Sequence, residues 1–107
     1  MFDNRPLACN LTAIDDEERT FHKENGEQLF SSVEEIKELP DGYAFGLPAE
    51  TATVERAGAF VARERLCCSF FHFTIEVTPE HGAVWLHLTG DEEVKQYVAE
   101  NVVARFK

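Results

Sequence analysis

The chain has 107 residues, 44% of them hydrophobic and 28% charged, a globular composition long enough to bury one core. Twenty acids against ten lysines and arginines leave a net charge of −10. With no basic stripe to offset it, that charge argues against nucleic acid and anionic membrane surfaces as partners.

No apolar run approaches the roughly 18 residues that a membrane span needs. The opening MFDNRPLACNL lacks the charged and long apolar segments of a secretory signal. Three cysteines, an odd number without C-x-x-C spacing, point to free thiols in a reducing cytoplasm. A bridge between the adjacent Cys67 and Cys68 would close a small, strained ring. Residues 1–107 read as a single domain with no linker and no low-complexity tract.

In chain order, LACNLTAI (7–14) alternates as a strand would, with Leu7, Cys9 and Leu11 on one face. A charged helix follows, with Asp15 and Glu18 at capping-box spacing and Gly26 weakening its middle. VEEIKELPDGYAFGLP is a hairpin turning at Pro40-Asp41-Gly42, with Gly42 available for positive φ. TATVERAGAFVARERLCC is a helix started by Thr51 or Thr53, its stripe made by Val54, Ala57, Gly58, Val61 and Cys68. A second hairpin turns at Pro79–Gly82, with Phe71, Phe73, Ile75 and Val77 matched by Val84, Leu86 and Leu88. The chain closes with an amphipathic helix that Thr89 and Glu92 are spaced to cap.

The order expected is β-α-β-β-α-β-β-α. This is an α+β fold with a mostly antiparallel sheet and helices on one face, related to the ferredoxin-like order. A rival description is two α-β-β units in tandem, 15–47 and 51–89, although too few residues are shared to make them a sequence repeat.

RERLCCSFFHF carries the one place where chemistry is expected. At about 100° per residue from Val61, Cys68 lies within roughly 20° of the core direction, and Glu64 lies roughly 60° to one side. Cys67 falls on the flank of Glu64, at the core's edge, and is expected to be the more accessible thiol. Glu64 is three and four residues before the cysteines, the spacing at which helical side chains meet. Cys9, Cys67, Cys68 and Glu64 together are a candidate site for a thiophilic ion such as zinc, copper or mercury. Arg63 and Arg65 favour a thiolate, whereas the C-terminal end of a helix disfavours one. The competing reading makes the cysteines small hydrophobes at a helix–strand junction.

The stretch E-x-x-C-C-x-F-x-F (Glu64, Cys67, Cys68, Phe70 or Phe71, Phe73) precedes L-x-L-T-G (Leu86 to Gly90). With C-x-L-T (Cys9, Leu11, Thr12) and L-P-D-G-Y (Leu39 to Tyr43), it resembles a family of small bacterial proteins without an established activity. Ser69 stands where that family often has proline, so the helix end is less sharply broken. The resemblance includes Cys9 and so implies a three-thiol site.

On the opposite face of the second hairpin, Phe70, His72, Trp85 and His87 are expected to lie together. They are a candidate homodimer interface unless the last helix or the N-terminal segment covers them. His72 and His87 are also weighed as ligands, although fixed spacing and further ligands are missing. His22 and His81 read as solvent residues. Gly90 before the last helix is not a phosphate site, because Asp91, Glu92 and Glu93 already fill that turn with negative charge. No serine-hydrolase order, Gly-rich phosphate loop or metalloprotease motif occurs. Three functional classes remain: a thiol protein that binds a soft metal or metalloid, an oligomeric interaction domain, and a thiol enzyme.

Overall fold

Proline at position 40, with its fixed φ and missing N–H, ends the first apolar alternation and turns the chain. In the computed structural model, which describes residues 10–106, β1 (Glu35–Leu39) and β2 (Gly42–Leu47) form this hairpin, with Ile36 opposite Phe45. β3 (His72–Val77) and β4 (Val84–Thr89) form the second, with Phe73 opposite Leu88 and Thr74 opposite His87. Its turn closes by donation from the Gly82 N–H to the Pro79 carbonyl, at 3.2 Å. Glu80 and His81, at φ 59° and 60°, adopt the left-handed conformation that primed hairpin turns require.

The strand order is β1-β2-β4-β3, antiparallel throughout, and the central pair joins the second strand of each hairpin. Three helices supply the rest: α1 (Asp16–Ser31), α2 (Thr51–Cys67) and α3 (Glu92–Val98). α3 continues through a π-helical stretch, Ala99–Val103, into a last turn, α4 (Ala104–Phe106). The core is shared by Leu29 and Phe30 of α1, Ala57 and Phe60 of α2, Val94 and Val98 of α3, and the inward strand residues Phe45, Leu47, Val84, Leu86 and Leu88. Phe30 meets both Phe45 and Phe60 edge-on with centroids 5.3 Å apart. The class is therefore α+β, with an antiparallel sheet under helices on one face.

The element order differs from the expected one. Leu11–Ala13 is a short 3-10 helix rather than part of a strand, and residues 7–9 of the anticipated strand lie outside the described residues. The Asn10 side-chain oxygen accepts from the Thr12 N–H at 3.1 Å and from the Thr12 hydroxyl at 2.5 Å, a local closure that competes with extended pairing. Among the described residues the order is thus α-β-β-α-β-β-α, and without a leading strand the ferredoxin-like relation falls away. The tandem α-β-β description fits instead, with α1 and α2 side by side on the two hairpins.

The caps also differ. Asp15 occupies the N-cap of α1 with no side-chain bond, and the acidic turn Asp16–Glu18 complements the helix dipole. α3 is capped by Asp91, whose carboxylate accepts from the Val94 N–H at 3.0 Å, so the Thr89–Glu92 box is not used. The buried face of α2 runs through Thr53, Ala57, Phe60 and Cys67, while Val54 and Gly58 are exposed. The stripe is rotated toward α1 because Phe60, the largest apolar side chain of the helix, seats against Phe30.

Gly42 does not take a positive φ; its role is close approach. A Cβ there would sit 2.1 Å from the Leu88 carbonyl oxygen and 2.8 Å from the Thr89 Cα, both backbone atoms of the central partner strand. Gly42→Ala should therefore lower stability by about 1–3 kcal/mol, read as the midpoint of urea denaturation. Gly58→Ala meets nothing within 4 Å on the exposed face of α2. It should raise stability by about 0.5–1 kcal/mol.

Candidate metal centre

Helical spacing gathers the site. On α1, His22, Asn25 and Leu29 recur at three and four residues and are buried together. On α2, Glu64 falls in the same series as Phe60 and Cys67 and so points between the helices rather than to solvent. His22 Nε2 lies 2.7 Å from Glu64 Oε1, and Cys67 Sγ lies 3.4 Å from the same oxygen. Sγ to Nε2 is 3.9 Å. The imidazole stacks on Phe60, with centroids 5.3 Å apart and 24° between planes, which fixes its orientation.

An ionised carboxylate only accepts, so Nε2–H and the Cys67 S–H both donate to Oε1. His22 Nδ1 is buried without a partner. The Cys67 thiol is pushed up from its ordinary 9.0 to about 11, first by burial and then by the charge and hydrogen bond of Glu64. Tyr97 on α3 is raised as well, by burial and then by Glu64 and Cys67, which marks it as a neighbour of the cluster.

These distances suit a small ion. With ligand bonds of about 2.0–2.3 Å, tetrahedral ligands stand roughly 3.3–3.8 Å apart. The observed edges of 2.7, 3.4 and 3.9 Å bracket that range, and the His22–Glu64 edge would open as a metal replaced its proton. The three ligand atoms all lie within 4.8 Å of one another. One and the same nitrogen faces both Glu64 and Cys67, so His22 does not bridge them through its two ring nitrogens, and burial with Glu64 disfavours the thiolate.

The anticipated ligands are only partly brought together. Glu64 and Cys67 meet; Cys9 lies outside the described residues. Cys68 is disulfide-bonded, which overturns the expectation of free thiols throughout and removes its sulfur from a thiolate set. Cys67 is the free cysteine among the described residues, and at 3% exposure it is shielded rather than accessible. His22 is the missing member, 6% exposed where a solvent position was expected. Its signal was the spacing His22-Asn25-Leu29, which places a polar residue on the buried face of a weakly apolar helix.

The candidate interface is divided. Phe70 lies against Phe71 and Tyr97, at 4.7 and 5.2 Å between centroids, covered by the last helix rather than on the open sheet face. His72, Trp85 and His87 do occupy that face. Trp85 lies across Gly46 with the Lys37 ammonium 4.5 Å over its ring, and His87 faces Glu76 at 3.7 Å. No helix among the described residues is long and apolar enough to cross a membrane. Neither a family model, nor a curated protein, nor a solved structure matches the chain.

The raised thiol has a consequence for stability. Folding prefers the protonated sulfur, so this contribution is whole below about pH 9 and is lost as pH rises through about 11. Metal-free wild-type protein should lose stability across that window more steeply than Cys67→Ala, measured by urea denaturation at each pH. Parallel pH profiles would show that the thiol is not held protonated by the fold.

Proposed function

We propose that the protein binds a divalent transition ion of the zinc type through His22 Nε2, Glu64 and Cys67 Sγ. The observation that carries this reading is the convergence of three different ligand types, from two helices, onto one point beneath a cleft. Three protein ligands leave a fourth position for water or a substrate atom, as in catalytic rather than structural zinc sites. One thiolate, one imidazole and one carboxylate form a borderline donor set. It favours zinc over copper(I) or mercury, which two or three thiolates would favour.

Loading the site costs protons. The thiol must ionise, so affinity rises with pH, and the imidazole hydrogen must move from Nε2 to Nδ1. Nδ1 lacks the outer partner that usually orients a metal-bound imidazole, and such partners are worth about 10–100-fold in affinity. The reading therefore implies a moderate affinity rather than a permanently occupied site.

Zinc titrated into metal-free protein should raise the melting temperature, with about 2.7 kcal/mol of stabilisation at a hundredfold excess over Kd. Cys67→Ala, His22→Gln and Glu64→Gln should each remove most of that rise. Cobalt(II) should develop a thiolate-to-metal charge-transfer band in wild type and not in Cys67→Ala. A zinc-induced shift in Cys67→Ala equal to that of wild type would refute the ligand set.

A further inference from the structure

Above the His22–Glu64 pair a cleft of about 720 Å³ opens between α1, α2 and the last helix, a size that suits a small organic molecule. Its apolar surface comes from Phe30, Phe60 and Leu88 at depth and from the half-buried Phe71, Val102 and Phe106. The π-helical stretch Ala99–Val103 belongs to this wall and brings Val102 into the lining together with Phe106. Such stretches interrupt α-helices frequently at functional sites.

The cleft is less acidic than the chain as a whole, whose net charge is −10. Arg19, Lys23 and Arg105 line it with Glu27 and Glu64, and since Arg19 is held by Asp16 at 2.9 Å, Lys23 and Arg105 balance the two carboxylates. Arg105 pairs with Glu27, joining α4 to α1 at the cleft. Both side chains of that pair are substantially exposed, 61% and 44%, so the bond is weak and readily exchanged. Arg105 also lies over the ring of Phe106, 5.1 Å from its centroid, where apolar wall and solvent meet. Glu64, beside His22 in the lining, repels an anion from the deep end.

We infer that this cleft binds a small apolar carboxylate. Its alkyl or aryl body lies on the phenylalanines, and its head takes the place of Glu27 on Arg105. No covalent bond is made or broken in this exchange, and metal-free protein suffices for it, since it uses none of the three proposed ligand atoms. Failure of the metal reading would leave it standing, and the reverse also holds.

The test is calorimetric titration of metal-free protein with octanoate, octanol and octylammonium below their aggregation limits, with amide chemical shifts locating the contact. Octanoate should bind saturably, octanol about tenfold more weakly, and octylammonium not at all. Glu27→Gln removes the internal competitor from an exposed position. It should tighten octanoate about 2- to 5-fold and leave octanol unchanged. Val102→Trp should block both by filling the cleft. If that variant fails to fold, Glu27→Gln alone decides. Equal affinity for octanoate and octanol, no gain in Glu27→Gln, no octanoate binding, or shifts confined to residues away from the cleft would each overturn the inference.

Discussion

A carboxylate on the buried face of α2 is the constraint around which the rest of this structure is arranged. Glu64 has 16% of its side chain exposed, and an unpaired carboxylate at that depth would cost several kcal/mol. The fold answers with two donors on one oxygen, an imidazole from α1 and a thiol one turn further along α2. Replacing Glu64 with leucine would remove the need for either. A polar cluster at a helix–helix seam, where apolar residues would pack at lower cost, is weak evidence for stability.

The layout of the chain puts that seam where a ligand can reach it. Each hairpin is preceded by its own helix, and the hairpins join through β2 and β4, so α1 and α2 lie side by side on the sheet. Phe60 fills the seam between them by stacking on His22 and meeting Phe30 edge-on. The last helix packs from the side, through Val94 and Val98 against the sheet and Phe106 against Phe30. It closes the space over β4 but leaves the one above His22 and Glu64 as a cleft. One packing decision, the rotation of α2 toward α1, thus both buries Glu64 and opens the approach to it.

How much of this could be read from residues alone follows from how local each determinant is. Both hairpins were legible because Pro40-Asp41-Gly42 and Pro79–Gly82 are short-range turn signals flanked by alternating apolar residues. The N-terminal segment misled because alternation over 7–14 gave no weight to the bonds from Asn10 to Thr12. A stripe centred on Val61 is displaced from the buried face of α2, because the larger Phe60 sets the packing direction. That displacement matters most at the site. With the stripe centred on Phe60, Glu64 lies about 40° from its axis rather than about 60°, inside the buried face that Ala57, Phe60 and Cys67 define. His22 was hidden for a different reason: α1 presents Asn25 and Gly26 where an apolar stripe would be, so helical periodicity alone gave its inner face little contrast.

The protons of the cluster connect its stability to its chemistry. Without metal, the S–H of Cys67 and the N–H of His22 neutralise the demand of Glu64 for partners, and burial together with Glu64 holds the thiol at about 11. An ion at the centre would satisfy the same carboxylate and draw the thiol down into ionisation, so metal and protons compete for one set of atoms. Burial first, and Glu64 second, hold the thiol protonated, and the carboxylate that contributes to this would equally attract a cation. Cys68, by contrast, is fully buried and disulfide-bonded, a structural fate one residue away. The two adjacent cysteines differ because the helix ends between them: Cys67 completes the series that faces α1, and Cys68, at the C-cap, turns with the chain toward β3.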